Sequence, residues 1–400
     1  MTVRILHTSD WHAGKSLRGR SRADEHRAVL AEIAGIARTS EVDLVLVVGD
    51  LFDTAAPGPE AEQIVWQALL DLADTGASVV ALAGNHDHPA RFDAARAVAG
   101  HAGITLVGRP RRPDDGGLLE FRARSGERIQ VAALPFCSQR HVIKAAHLMG
   151  FDAADNALVY AQWMAGLFGG LCAGFDPGAV NVFAAHLAAR GGVKGGGERD
   201  AQLTEAYWVD PADFPRAAHY VALGHLHRTQ SLASGAPAWY CGSPLQLDFG
   251  ETENQPGVLL VEASPDVPAT VERVPLTAGR RLRTLTGTVA DLAARSGTTG
   301  DDFLRVLVAE PARSGLAEEV RELFPDAVDV RVVHDEDAEE AAAEASRRAG
   351  RTPQELFAEY LAGQNVADQR LEALFARLLD EETAGPLEEP SAPAAAGAGR

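Results

Sequence analysis

Cysteine is nearly missing from this 400-residue chain. The three that occur, Cys137, Cys172 and Cys241, lie far apart and form no CxxC pair, which excludes a thiolate zinc cluster and leaves no disulfide framework. A reducing cytoplasm suits such a chain. The N-terminus, MTVRILHTSD, lacks a basic segment followed by a long apolar stretch and a small-residue cleavage site, so no secretory signal is expected. Residues 157–175 carry no charge and are almost long enough to span a membrane, but they hold Gln162, four glycines and few branched aliphatics. Val159, Trp163 and Leu167 recur there every fourth residue and predict a helix buried against the core, with no membrane contact. Net positive charge is lacking too: the formal charge is −19, the wrong sign for a protein that handles a polyanion. Its distribution softens this. From Asp335 onward there are 15 acidic and 6 basic residues, a net −9, so almost half of the excess sits in the last 66 residues. No internal repeat is found.

What is present is a large apolar fraction, 46%, enough for one sizeable α/β domain and one or two smaller units. Apolar runs at 3–6, 43–48, 78–82, 180–184 and 220–223 alternate with helix-period segments at 25–38 and 60–72. That pattern predicts buried parallel strands joined by helical crossovers. Further strands are expected at 131–134, 258–262 and 270–274. Residues 279–281 mark a boundary, after which strands at 283–289, 303–309 and 328–333 alternate with helices in a small second domain. An acidic stretch, DEDAEEAAAE, follows, and then a helix start at Thr352 with Pro353 in its first turn and Glu355 in the capping-box position. Leu371, Leu374, Phe375 and Leu378 form one stripe, suited either to its own domain or to a partner helix. The expected division is therefore 1–279, 280–334, a linker at 335–351, a helical segment at 352–382, and a disordered Ala/Pro/Gly/Glu tail at 383–400.

Five of the strand-like runs end in a potential metal ligand. The endings are Asp10 and His12 in SDWH, Asp50 in GDLFD, Asn85, His86 and Asp87 in GNHD, His186 in AAH, and His225 and His227 in GHLH. Singly, each has an ordinary reading as a turn, a cap or a core histidine. Together they converge, because the carboxyl ends of strands in an open α/β sheet share one edge. Seven oxygen and nitrogen ligands buried there without a cation would lack partners, which is costly. Asp50 is the natural bridge between two cations, since a carboxylate has two oxygens; such a pair clamps a phosphorus and lowers the pKa of an attacking water. His86 remains to donate a hydrogen bond to a phosphoryl oxygen or a proton to the leaving oxygen, with Asp53 and Asp87 as candidates to orient it. A donor set without sulfur suits manganese, iron or zinc.

The ordered pattern D-x-H, G-D, G-N-H-D, a lone His and G-H-x-H resembles the calcineurin-like metallophosphoesterase superfamily, an α/β fold whose β-sandwich is flanked by helices. Within it, HTSDWHAGK, GDLFD, ALGHLHRTQ and YCGSPLQLDFGE are similar to the SbcD family, the nuclease subunits of bacterial SbcCD complexes. The resemblance covers nearly the whole chain. It implies a small α+β capping domain after Gly279 and a C-terminal helical tail that binds the coiled-coil base of an SbcC-like ATPase, commonly in a heterotetramer built on a nuclease homodimer. It also implies two divalent ions, Mn2+ in that family. Asp10, His12, Asp50 and His227 would hold the first and Asp50, Asn85, His186 and His225 the second, with His86 catalytic. The implied activity is ATP-dependent 3′ to 5′ degradation of duplex DNA ends and endonucleolytic cutting of single strands and hairpins, in DNA repair and recombination. A phosphoprotein phosphatase or cyclic-nucleotide phosphodiesterase on the same site, and a non-catalytic scaffold, are the alternatives. One stretch departs from the family: after His186 the chain reads LAARGGVKGGGERD, richer in glycine than expected.

Two basic groups are candidates to contact DNA. Lys15, Arg18, Arg20, Arg22 and Arg27 follow the first ligand pair, where they read either as a path for a phosphate backbone or as a solvated loop and helix start. Arg190, Lys194 and Arg199 flank the His186 strand among glycines, which permit close approach to a phosphate and equally suit a flexible loop.

Overall fold

The structure, a computed structural model, describes residues 2–137, 153–198, 208–333, 353–363 and 368–384. The linker at 335–351, the tail beyond 384, Thr352 and Arg199 lie outside these residues. Contacts divide the chain into a unit of residues 1–351 and a second of 352–400.

Two six-stranded sheets form the centre of the first unit. In one, β1 (Val3–Thr8), β4 (Leu44–Val48), β5 (Ser78–Leu82) and β6 (Ile104–Val107) run parallel, and β13 (Gly257–Ser264) and β14 (Val267–Pro275) close the β1 side antiparallel. The other has the order β11 (Gln230–Leu232), β12 (Ala238–Tyr240), β10 (Tyr220–Gly224), β9 (Val180–His186), β8 (Arg128–Leu134) and β7 (Leu118–Arg122). Its inner four strands are parallel and its edges antiparallel. A two-stranded ribbon, β2 (Ser16–Leu17) with β3 (Arg20–Ser21), stands apart.

The run LVLVV of β4 is apolar at every position because both faces are covered. Leu44, Leu46 and Val48 face the second sheet, in a core shared with Val131, Val182 and Ala222. Val45 and Val47 face the opposite way, onto α1 (Ala23–Thr39) and α2 (Pro59–Ala73), with α3 (Pro89–His101) beside them. The second sheet is covered by α4 (Ala153–Cys172), packed as expected from the uncharged stretch. The buried stripe is one residue out of phase with the expected one, however. Tyr160, Met164 and Phe168 are buried, whereas Trp163 is 39% exposed. Tyr160, Met164 and Phe168 are the ones that fit the sheet surface, packing in one cluster with Phe183 and Phe214. Among the described residues no helix is long and apolar enough to cross a membrane, and the three cysteines are buried and free.

After the sandwich, β15 (Leu282–Gly287), β16 (Phe303–Val308) and β17 (Ala327–Val332) form a parallel three-stranded sheet. It carries α5 (Val289–Ala293), opened by a capping box between Thr288 and Asp291, and α6 (Leu316–Leu323) on its own core. In the second unit, α7 (Pro353–Gly363) and α8 (Gln369–Ala384) meet through stacked Phe357 and Phe375 rings 4.0 Å apart. Leu371, Leu374 and Leu378 remain exposed.

Candidate metal centre

Each candidate ligand sits at or just past the carboxyl end of a parallel strand. Asp10 and His12 follow β1, Asp50 follows β4, Asn85 follows β5, His186 ends β9, and His225 and His227 follow β10. Asp10 and His12 do not share a side through an extended backbone, as alternation would have it. Both are left-handed, with φ of 54° and 47°, as are Asp50 at 53° and His225 at 102°. Their backbone amides are tied instead to the neighbouring strand end, Asp10 N donating to Gly49 O and His12 N to Asp50 O. Positive φ in non-glycine residues costs about 1–3 kcal/mol each and gathers where function over-determines the backbone.

The glycines of the motifs have a steric cause. A Cβ on Gly49, itself at φ 87°, would overlap the His186 ring, and one on Gly84 would overlap the Asp50 carboxylate. The backbone of one strand end is thereby pressed against the ligand of another.

Asp10, His12 and His227 bring ligand atoms within 4.8 Å of one another, as do Asp50, His186 and His225, and also His12, Asp50 and His86. Asp50 links the groups: its Oδ2 lies 3.6 Å from His12 Nε2 and 3.5 Å from His186 Nε2. Asn85 Oδ1 is 3.0 Å from His186 Nε2 and 2.8 Å from His225 Nδ1. All the histidine and aspartate members are 5% exposed or less, except His86 at 9%.

The donors fit a pair of divalent cations. His12 and His227 point their Nε2 atoms at each other across 3.2 Å, so two lone pairs compete for one proton unless a cation takes both. His12 Nδ1 is buried without a hydrogen-bond partner, with Asp53 Oδ1 at 3.4 Å. Imidazole, carboxylate and amide donors, without sulfur, suit first-row divalent ions.

The electrostatics fit the same picture. Burial alone would strip charge from the histidines, and it pushes His12 and His225 down to about 3. It opposes charge on His186 and His227 as well, but the Asp50 carboxylate overrides it at His186 and the Glu251 carboxylate at His227, holding both up at about 9. Burial likewise works against charge on Asp50, yet His186 and His86 hold it well below the usual carboxylate range. Asp10 is pushed up by burial to about 6. Without metal, then, two protonated imidazoles serve as the counter-charge.

His86 lies against this group, its ring centroid 4.7 Å from that of His12. Its Nδ1 is 2.8 Å from the Asp53 backbone carbonyl, the group able to orient it. The two carboxylates singled out for that task have other partners. Asp53 Oδ1 pairs with Lys15 at 3.3 Å and faces His12. Asp87 accepts from the backbone amides of Leu51, Phe52 and Gly84, knitting the GDLFD and GNHD loops together around Asp50. The group the structure places against His86 Nδ1 is thus the main-chain carbonyl of Asp53, in the tight loop after β4.

The basic residues diverge from one another. Arg22 is not available to DNA: its side chain is wholly buried, paired with Glu25 at 2.8 Å and hydrogen-bonded to Gln246 O. Arg18 pairs with Asp329 at 3.3 Å and Asp248 at 3.7 Å, and Arg20 lies near Asp326 at 3.9 Å, so both reach toward β17 and its approach. Arg27 pairs with Asp24 and Glu60 at 2.7 Å. Arg190 is exposed on the loop after β9 and Lys194 half-buried in it. That loop is neither open nor free: Gly195 and Gly196 amides donate to Glu198, and a Cβ on Gly197 would overlap the Glu251 carboxylate.

Glu251 was missed in the sequence. It is fully buried, and its Oε1 accepts from His227 Nδ1 at 2.7 Å. The only sequence signal was an acid closing the segment YCGSPLQLDFGE, which no hydrophobic period marks as interior.

Buried histidines and carboxylates on parallel strand ends, with one aspartate shared between groups, define a metallophosphoesterase. Residues 3–228 match the calcineurin-like phosphoesterase family, and residues 278–365 match a family described as type 5 capsule protein repressor C-terminal domain. The SbcD component of the SbcCD nuclease of Bacillus subtilis is 36% identical over 70% of this chain and 71% of its own. Its counterpart from Escherichia coli is 31% identical over 73% of each. A dimetal phosphatase structure from Danio rerio aligns with a TM-score of 0.38 at 13% identity, over 67% of this chain and 98% of that one, too distant to add to the assignment. The chain belongs to the calcineurin-like phosphoesterases and, among them, to the SbcD nuclease-subunit family; it is a metal-dependent phosphodiesterase.

Proposed function

We propose that the chain is a DNA nuclease subunit acting with an SbcC-like ATPase on duplex ends and on single-stranded or hairpin DNA, in the cytoplasm, in DNA repair and recombination. Asp10, His12, Asp50 and His227 hold one cation and Asp50, Asn85, His186 and His225 the other, with Mn2+ as the working ion. The position of Asp50 Oδ2, about equally near His12 and His186, carries this reading. When bound, the two cations neutralise the phosphate and lower the pKa of an attacking water.

The remaining chemistry falls to side chains of this chain. His86, with Nδ1 on the Asp53 carbonyl, has Nε2 left to donate to a phosphoryl oxygen or to the leaving oxygen. Asp87 keeps the two loops that carry Asp50 and His86 in register. Residues 1–279 form the nuclease domain and 280–334 the capping domain. The exposed Leu371, Leu374 and Leu378 on α8 support docking onto a coiled coil of the ATPase, in an assembly with two nuclease subunits.

The test is Mn2+-dependent cleavage of end-labelled duplex and hairpin DNA, with and without the partner ATPase. His86→Ala is expected to lose at least about 100-fold in cleavage, in the range for a general acid, while Mn2+ and DNA binding persist. Cleavage at the original rate would remove His86 from the chemistry, and preference for small phosphoesters over DNA would overturn the substrate.

A further inference from the structure

The two halves of the metal centre hold their histidines by different means. His186 Nδ1 is 2.8 Å from the Val48 carbonyl, a main-chain group of the sandwich itself. His227 Nδ1 is instead held by the carboxylate of Glu251, whose other oxygen accepts from Leu247 N at 2.7 Å. An imidazole that donates from Nδ1 to a carboxylate is fixed in ring orientation and keeps its Nε2 lone pair for a cation.

Glu251 sits on a single short turn, Phe249–Glu251, capped by Asp248. The outer side of that turn is covered by the capping domain. Phe249 packs in one cluster with Leu17, Leu282 and Phe303. The Arg305 guanidinium lies 4.5 Å from the centre of the Phe249 ring and within 4.0 Å of Asp248. Just before the turn, Gln246 Oε1 accepts from Leu282 N at 2.7 Å. One face of the turn thus belongs to a metal ligand and the other to the cap.

We infer that Glu251 is a positioning residue for the His227 half of the centre, and that docking of the cap on residues 246–251 couples cap position to cation binding in that half alone. This rests on the metal reading above. A cap drawn away from the turn withdraws the packing on Phe249 and Asp248, and Glu251 loses the support that aims His227. The His186 half, braced by β4, does not feel it. Binding free energies linked in this way are reciprocal, so a cation in the His227 half also favours the docked cap.

The experiment is Mn2+ titration of the full chain by calorimetry, with electron paramagnetic resonance counting free ion and circular dichroism confirming the fold. Two Mn2+ are expected in the original protein. Glu251→Ala is expected to weaken one site by about 10- to 100-fold, as loss of a ligand's hydrogen-bond partner does elsewhere. Glu251→Gln, which keeps an acceptor for His227 Nδ1, should fall between; it carries the test if Glu251→Ala does not fold. In a His186→Ala background, which leaves the His227 half, Arg305→Ala should weaken Mn2+ by about fivefold or more. In a His227→Ala background it should change nothing. Equal effects of Arg305→Ala in both backgrounds, or none in either, would overturn the coupling. An original protein that takes up no Mn2+ would overturn the metal reading itself.

Discussion

The strand-end cluster and the basic loop that follows it, residues 15–22, are both made of residues that suit phosphate chemistry, yet they came out differently. In the cluster, seven residues from five segments reach one place and turn ligand atoms toward one another. In the loop, Lys15, Arg18, Arg20 and Arg22 each meet an acid of this same chain, Asp53, Asp248 and Asp329, Asp326, and Glu25. Burial explains the contrast. A buried histidine or carboxylate must be paired, so its presence at a strand end already constrains its surroundings. Arg18 and Arg20, still partly in water, cost little to place and join whichever acid the fold delivers, whereas Arg22 is buried and held by Glu25. Two of these acids, Asp326 and Asp329, lie about 300 residues further on, at and in β17, and no local pattern announces them.

The largest expected effect separates the two regions by pH. Without metal, the Asp50 and Glu251 carboxylates hold His186 and His227, one in each half, up at about 9, so a cation bound to either would displace a proton. Affinity for Mn2+ should rise about tenfold per pH unit per cation from pH 6 toward 9, and isothermal titration in buffers of different ionisation heat should show proton release. The metal-free protein should move the other way. Folded-state values raised above 6.5 contribute stability that is complete below 6.5 and is lost as the pH rises through 9. Metal affinity independent of pH would mean that the histidines are not the ligands.

The same contrast governs what could be read from the sequence. The LVLVV run of β4, apolar on both faces, gave away a sandwiched parallel strand, and the ligand motifs gave away their common edge. Edge strands such as β7 and β11, only partly apolar or three residues long, carried no comparable pattern. The phase of α4 was misjudged because Val159, Trp163 and Leu167 and the neighbouring stripe of Tyr160, Met164 and Phe168 are both apolar, and the sheet surface decides between them. Glu251 and the Asp53 carbonyl escaped for a further reason: a main-chain group and an acid on a three-residue turn have no period at all.

A smaller effect is expected where the loop enters the interior. Arg22→Ala leaves Glu25, 11% exposed, without its guanidinium and Gln246 O without its donor. Losing one partner of a buried pair costs about 3 kcal/mol or more, which urea denaturation should register as a lower midpoint at unchanged slope. An unchanged midpoint would return Arg22 to the surface and to the set of DNA-facing residues.

The smallest effect is the most pointed for DNA. Each phosphate neutralised by a basic side chain contributes about 0.9 to the slope of log affinity against log salt, so the slope counts side chains that meet the backbone. Arg18 is already committed to Asp248 and Asp329, and releasing it for a phosphate would leave two carboxylates close together beside Arg305. Arg190 is exposed on the loop after His186, so a phosphate would reach it without parting such a pair. Arg190→Ala is therefore expected to lower the salt slope by about one and weaken binding evenly across sequences, whereas Arg18→Ala should leave the slope unchanged within about 0.3. Measured by fluorescence anisotropy on one duplex from about 50 to 200 mM salt, the reverse ordering would show that DNA displaces Asp248 and Asp329 from Arg18.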